Sequence, residues 1–309
     1  MAWARVRLWL SGQPYVLLVL TTLMWSGNAV ASRLAVNQIS PMALTFLRWL
    51  AAAGVLAVLA RRQVSASWPA LAPRWPSILW MGTLGFTGFN ALFYAAGYHT
   101  TAINIAIFQG SIPVLVLFGA LVFYRIPFGP IQGLGFALTL LGVALVATRG
   151  ELATLRTLSF NIGDVWMLVA CLLYAAYTLG LRNRPAVPGL AFFTVMAGVA
   201  AVTSLPLFVA EILRGEGRWP TLEGLGILLY VSFFPSLLAQ LFYMRGVELI
   251  GPGRAGLFVN LVPVFGPLLS VLVLGEPFMM HHALGLALVL GGIFTAERAA
   301  RPAKPRGGS

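Results

Sequence analysis

Phe86, Asn90, Tyr94 and Tyr98 recur every four residues, which puts them on one face of a helix. Asn104 and Phe108 repeat that spacing, with Gln109 adjacent. An earlier stretch supplies Thr21, Thr22, Trp25, Ser26 and Asn28, and later ones supply Tyr174, Tyr177, Tyr230, Phe234 and Gln240. Rings mixed with amides and hydroxyls suit reversible binding of a small molecule with an apolar body and polar ends. Any one of them also fits interhelical hydrogen bonding and aromatic packing. Taken together they predict a lined cavity.

Few charged residues join them. Arg48 sits roughly 9 Å, about two turns, into its apolar segment. It can meet a substrate carboxylate or snorkel to the nearer interface, and a structural or snorkelling role is the favoured expectation. His99, His281 and His282 fall near segment ends, where they could titrate in a proton-coupled cycle. The eight carboxylates, Glu151, Asp164, Glu211, Glu216, Glu223, Glu248, Glu276 and Glu297, lie in loops or at helix ends. No acidic relay runs through an apolar segment, and Glu276 reads as a cap. There is no HExxH, phosphate loop or Cys/His metal spacing. The chain therefore reads as a non-enzyme needing no cofactor and no metal. Cys171, the single cysteine, excludes an intrachain disulfide.

The backbone offers a second kind of site. Pro113 and Pro263 fall inside apolar segments, with Gly110 and Asn260 three residues before each. Proline deletes one helical hydrogen bond and crowds the preceding turn. Interrupted helices at corresponding places in two halves point to a carrier's binding site. Gly110, Pro113 and Pro263 are the expected hinges, with Asn260 facing the substrate. Pro206, Pro235 and Pro267 lack mates and read as kinks.

The elements that must hold these residues are dictated by composition. Of 309 residues, 59% are hydrophobic and 9% charged, against about 45–50% and 25% in soluble proteins. So few charges cannot cover a water-exposed surface, and lipid is the expected solvent. A spanning helix needs about 20 apolar residues. Ten segments qualify, at 14–33, 42–60, 77–98, 102–123, 130–148, 164–182, 190–212, 223–245, 253–274 and 281–297. Arg5, Arg7 and Ala29-Val30-Ala31 resemble a cleaved leader. The apolar stretch continues through Trp25, Asn28 and Arg33, which makes it a retained helix.

The net charge of +12 is explained by orientation rather than by nucleic acid. Arg149, Arg156, Arg214 and Arg218 fall in the loops of one side, and Arg33 and Arg48 at or inside helices. The remaining fourteen of the twenty Lys and Arg fall on the side of the termini. That bias puts both termini in the cytoplasm.

A shift of 150 residues lays 105–144 on 255–294. Phe108, Pro113, Val114, Pro127-Phe128, Leu134-Gly135, Ala137-Leu138, Leu140 and Gly142 then meet identical residues. Arg33 meets Arg182 at a shift of 149. Each repeat holds five segments, and an odd number inverts the second repeat relative to the first. The expected organisation is a cytoplasmic N-terminus (1–13), a first repeat (14–148), an outer loop (149–163), an inverted second repeat (164–297) and a basic cytoplasmic tail (298–309).

On these residues the chain resembles the drug/metabolite transporter superfamily, in its ten-helix EamA-like branch. Trp25-Ser26-Gly27-Asn28 through Arg33 is similar to that branch's opening motif, and Pro41 through Arg48 to its second-helix pattern. Tyr98 through Pro113, Asn260-Leu261-Val262-Pro263 and Leu274-Gly275-Glu276-Pro277 resemble later signatures. One departure is Arg125-Ile126-Pro127, where the branch often carries Gly-Glu. The resemblance implies an all-α inner-membrane exporter of amino acids and other metabolites, with its closest likeness to YddG-type amino-acid exporters. It also implies a central cavity between the halves, with segments 5 and 10 set aside. The implied partners are the lipid bilayer and a small-molecule substrate. Other solute classes (a drug, nucleotide-sugar or sugar phosphate) and a channel-like pore are the alternatives, and the oligomeric state, monomer or homodimer, is left open.

Overall fold

A computed structural model describes residues 12–127, 129–151 and 161–300, with backbone alone at 252–254, 257 and 297–300. Arg5, Arg7, Phe128, Arg156 and the tail from Arg301 lie outside the described residues. The described chain is all helical, in the order α1 Pro14–Leu34, α2 Pro41–Leu71, α3 Trp75–Gly82, α4 Phe89–Ala96, α5 Ala102–Gln109, α6 Ile112–Tyr124, α7 Pro130–Ala147, α8 Ile162–Gly180, α9 Gly189–Leu213, α10 Leu222–Phe233, α11 Ala239–Ile250, α12 Pro252–Val259, α13 Val262–Leu274 and α14 Met280–Ala300.

Local chemistry sets where these helices start. Pro14, Pro41 and Pro130 open α1, α2 and α7, where a missing N–H costs nothing. Thr101, Asn161 and Thr221 cap α5, α8 and α10 by accepting from Asn104, Gly163 and Gly224 N–H. Each such cap contributes about 1 kcal/mol.

Seven helical runs are long and apolar enough to cross a membrane, and α13 and Met280–Ala296 are shorter apolar helices. Two expected segments merge in one run, Pro41–Ala96. A straight helix would hold Arg48 and Asn90 about 63 Å apart, yet they hydrogen-bond at 2.7 Å. The chain therefore doubles back through the 3₁₀ turn Ala72–Arg74. The segment expected at 253–274 is broken in two, because the turn at Asn260-Leu261 is not helical.

The two halves share their irregularities as well as their helices. α5 stops at Gly110-Ser111, and α12 stops 150 residues later. Wide π-type turns fall at Thr83–Gly88 and Phe234–Leu238. Helices α6 and α13 both end in left-handed residues, Arg125 at φ 53° and Gly275 at φ 66°. Matching helices pack antiparallel: Gly135 of α7 faces Gly292 of α14 while Gly142 faces Gly285. A Cβ at any of these four would meet the opposite backbone. Likewise Ala106 meets Gly266, and Gly110 lies beside Pro263.

Arg125 stands where its mate is glycine, in a conformation that costs an L-residue about 1–2 kcal/mol. Arg125→Gly removes that strain but adds unfolded-state freedom. The expected net gain is about 0.5–1 kcal/mol, read as a Tm rise of a few degrees. An unchanged or lower Tm would place the Arg125 side chain in a compensating contact.

The bundle exterior is apolar, with Val58, Phe123, Val202 and Leu272 more than half exposed. A leucine-rich exterior in water would leave a large unfavourable apolar surface; in hydrocarbon it is the expected one.

Candidate functional site

Between the halves lies a cavity of about 470 Å³, within the range of small-molecule sites. Its walls come from α1 (Trp25, Asn28), α2 (Arg48, Trp49), the first π-turn and α4 (Gly85, Phe86, Phe89, Asn90) and the α5–α6 break (Gln109, Gly110, Pro113). The second half adds α8 (Tyr174, Tyr177, Thr178), the second π-turn and α11 (Pro235, Gln240, Tyr243) and the α12–α13 break (Asn260, Pro263). Helices α7, α9 and α14 contribute no lining residue among those described. The lining runs from Asn28, Arg48 and Asn90 to Leu181 and Gly256. Leu181 opens the 3₁₀ turn after α8 and Gly256 lies within α12, so the cavity extends toward that end of the bundle.

Of the residues singled out from the sequence, Trp25, Asn28, Arg48, Phe86, Asn90, Gln109, Tyr174, Tyr177, Gln240, Asn260, Gly110, Pro113 and Pro263 meet at this cavity. The others have different surroundings. Tyr94 is buried behind the wall and donates to Asn28 Oδ1 at 2.8 Å. Tyr98 donates to Ile39 O at 2.9 Å, and Asn104 bonds Thr100 and Asp164. Phe108 is wholly buried. Tyr230 packs against Gly27 and donates to Met24 O, with Phe234 stacked on its ring at 5.4 Å. Trp49, Phe89 and Tyr243 were missed. Phe89 breaks the four-residue spacing because the π-turn before it shifts the helix face by an extra residue, and no polar pattern marks the other two.

Arg48 does not snorkel. It is 3% exposed, and its guanidinium is gripped from several helices. Nε–H donates to Ser236 Oγ at 2.9 Å, and Nη2 donates to the same oxygen. Nη1 donates to Asn90 Oδ1 at 2.7 Å and to the Tyr94 hydroxyl. Both π-turns feed this grip. Asn90 Nδ2 donates to Phe86 O in the first. Ser236, inside the second, donates to Val231 O five residues back. Such bulges expose carbonyls that a regular helix consumes. No carboxylate pairs with Arg48 among the described residues. Burying a charge without a counter-charge costs several kcal/mol.

The opposite end is closed by three carboxylates. Glu211 accepts from the Ser40 hydroxyl and from Met42 and Ala43 N–H. Glu276 accepts from Ala102 and Ile103 N–H at 2.9 and 3.0 Å, and Arg33 stands 3.9 Å away. Both clamp a helix N-terminus of the first half, where backbone donors and the helix dipole favour an anion. Asp164 accepts from Thr100 and Asn104. At this same end His99 packs on Trp166 and His282 accepts from Met279 N–H.

An apolar-skinned bundle of related halves around a solute-sized cavity, clamped at one end, defines a multi-pass membrane transporter. The EamA-like transporter family matches residues 13–148 and again 161–296, and the chain belongs to that family. It is 30% identical to the uncharacterized transporter YyaM of Bacillus subtilis over 72% of each chain. It is 27% identical to the uncharacterized transporter YetK of the same organism, over 91% of this chain and 85% of that one. An uncharacterized transporter of Archaeoglobus fulgidus is 25% identical over 92% and 97%. A crystal structure with 19% identity shares the fold at a TM-score of 0.63, covering 92% of this chain and 96% of that one.

Proposed function

We propose that this transporter exports small neutral or zwitterionic metabolites, amino acids foremost and aromatic ones among them, in the manner of YddG-type exporters. Ten segments cross a bacterial inner membrane as two inverted five-helix repeats, with both termini in the cytoplasm. The observation that carries the reading is the cavity itself: aromatic and amide-lined, holding one charge, reaching one end of the bundle and clamped at the other. With the termini cytoplasmic, the reachable end is the inner one, as an exporter awaiting cargo requires. Opening would alternate by bending at Gly110–Pro113 and Asn260–Pro263, where each helix already lacks a regular turn.

Counterflow tests this. Liposomes preloaded with unlabelled L-phenylalanine should take up labelled L-phenylalanine several-fold faster than empty ones. Equal rates would indicate a channel, and no uptake of any amino acid would remove the substrate class. Pro113→Ala and Pro263→Ala return a donor to the broken turns and should slow counterflow. Counterflow that ignores an imposed pH gradient would exclude His99, His281 and His282 from coupling.

A further inference from the structure

The grip on Arg48 is incomplete. A guanidinium has five N–H donors, and Ser236, Asn90 and Tyr94 take four of them. All of these acceptors are neutral. Next to it in sequence, the buried indole N–H of Trp49 has no acceptor among the described residues, and the guanidinium lies 5.1 Å from that ring's centroid. Both residues line the cavity, in the half of it nearer the clamped end. A positive charge without a counter-charge and two donors unspent among the described residues thus belong to neighbouring residues of one cavity wall. The rest of the described lining contains no other Lys or Arg, and no Asp, Glu or His.

We infer that Arg48 and Trp49 form the docking point for a single monovalent carboxylate, and that the cargo is recognised by this group rather than by an ammonium. The inference rests on the cavity being the transport site, but it narrows and widens the cargo differently from an amino-acid reading. A carboxylate supplies the missing counter-charge, and charge-assisted bonds are about twice as strong as neutral ones. A dianionic phosphate would want a second cation, which the lining does not hold. An α-ammonium would find no carboxylate there. Its neighbours would be Tyr174, Tyr177, Gln240 and Asn260, all uncharged. Desamino acids with an apolar body should therefore bind about as well as the amino acids themselves.

The probes are L-phenylalanine, 3-phenylpropanoate, 3-phenylpropanamide and 2-phenylethylamine, titrated calorimetrically into the detergent-solubilised full chain. The two carboxylates should bind within about tenfold of each other, and the amide and the amine roughly 10- to 100-fold more weakly. In Arg48→Gln the acid and the amide should become equal, with Arg48→Lys between. Equal acid and amide affinities in the parent, an acid preference surviving in Arg48→Gln, or no binding of either carboxylate would overturn the inference. If Arg48→Gln aggregates, the parent's acid–amide contrast decides alone. Phenylalanine counterflow without acid selectivity would sink this inference and leave the proposed function standing. Selective carboxylate binding without amino-acid counterflow would do the reverse.

Discussion

Glu211→Ala combined with Glu276→Ala should open the closed end of the bundle. The two carboxylates reach from the second half to helix N-termini of the first half, each taking two backbone donors. Hydrogen bonds to charged groups contribute about 1.5–3 kcal/mol each. Losing one clamp is enough to change an open-to-closed ratio by roughly 10- to 100-fold. Ala102→Cys provides the readout, since Ala102 is fully buried beneath Glu276. A membrane-impermeant maleimide should label it 10- to 100-fold faster in the double variant. Cys171, also fully buried, should stay unlabelled in both. An unchanged rate would mean that hydrophobic packing, not the carboxylates, holds this end shut.

These clamps have no counterparts at the matching positions of the first half. Residues 150 positions before Glu211 and Glu276 are Arg61 and Ile126, and neither can accept from a helix N-terminus. The two repeats therefore differ at these positions in the side chains that could hold a helix N-terminus. The cavity extends toward the Leu181 and Gly256 end, away from these carboxylates. The same departure at Arg125-Ile126-Pro127 was visible in the sequence. Its consequence was not, because the helix that a carboxylate there would cap is over a hundred residues away.

Asn90→Asp should separate folding from cargo binding. Asn90 Oδ1 accepts from Arg48 at 2.7 Å, and an aspartate of nearly the same shape would accept there as an anion. It would give Arg48 an internal counter-charge but lose the donor to Phe86 O, so stability should fall by no more than about 1–3 kcal/mol. The docking point would then be neutral before any cargo arrives. Binding of 3-phenylpropanoate should fall about 100-fold, the scale of one charge-assisted hydrogen bond. Asn90→Leu is the contrasting case: it strands a guanidinium donor and should lower the Tm as well as the affinity. Undiminished carboxylate affinity in Asn90→Asp would show that the anion docks elsewhere.

Much was settled by composition and periodicity alone. So few charges among so many apolar residues leave lipid as the only workable solvent, whatever the packing. The 150-residue echo set the two halves, and Gly110–Pro113 and Asn260–Pro263 marked the breaks, because proline's missing donor acts locally. What tertiary structure decided is which polar side chains see the cavity. Phe86, Asn90, Tyr94 and Tyr98 share a spacing, yet the first two line the wall, Tyr94 braces it from behind and Tyr98 ties a loop. Asn104 and Tyr230 looked like wall residues until Asp164 and Gly27 proved to be their neighbours. A helical period fixes the direction of a side chain relative to its own axis. What stands opposite depends on helices far away in the chain, and the π-turns reset the period between Phe86 and Phe89. Arg48 shows this most clearly, for the sequence allowed it to reach water, and only the convergence of Asn90, Tyr94 and Ser236 keeps it inside.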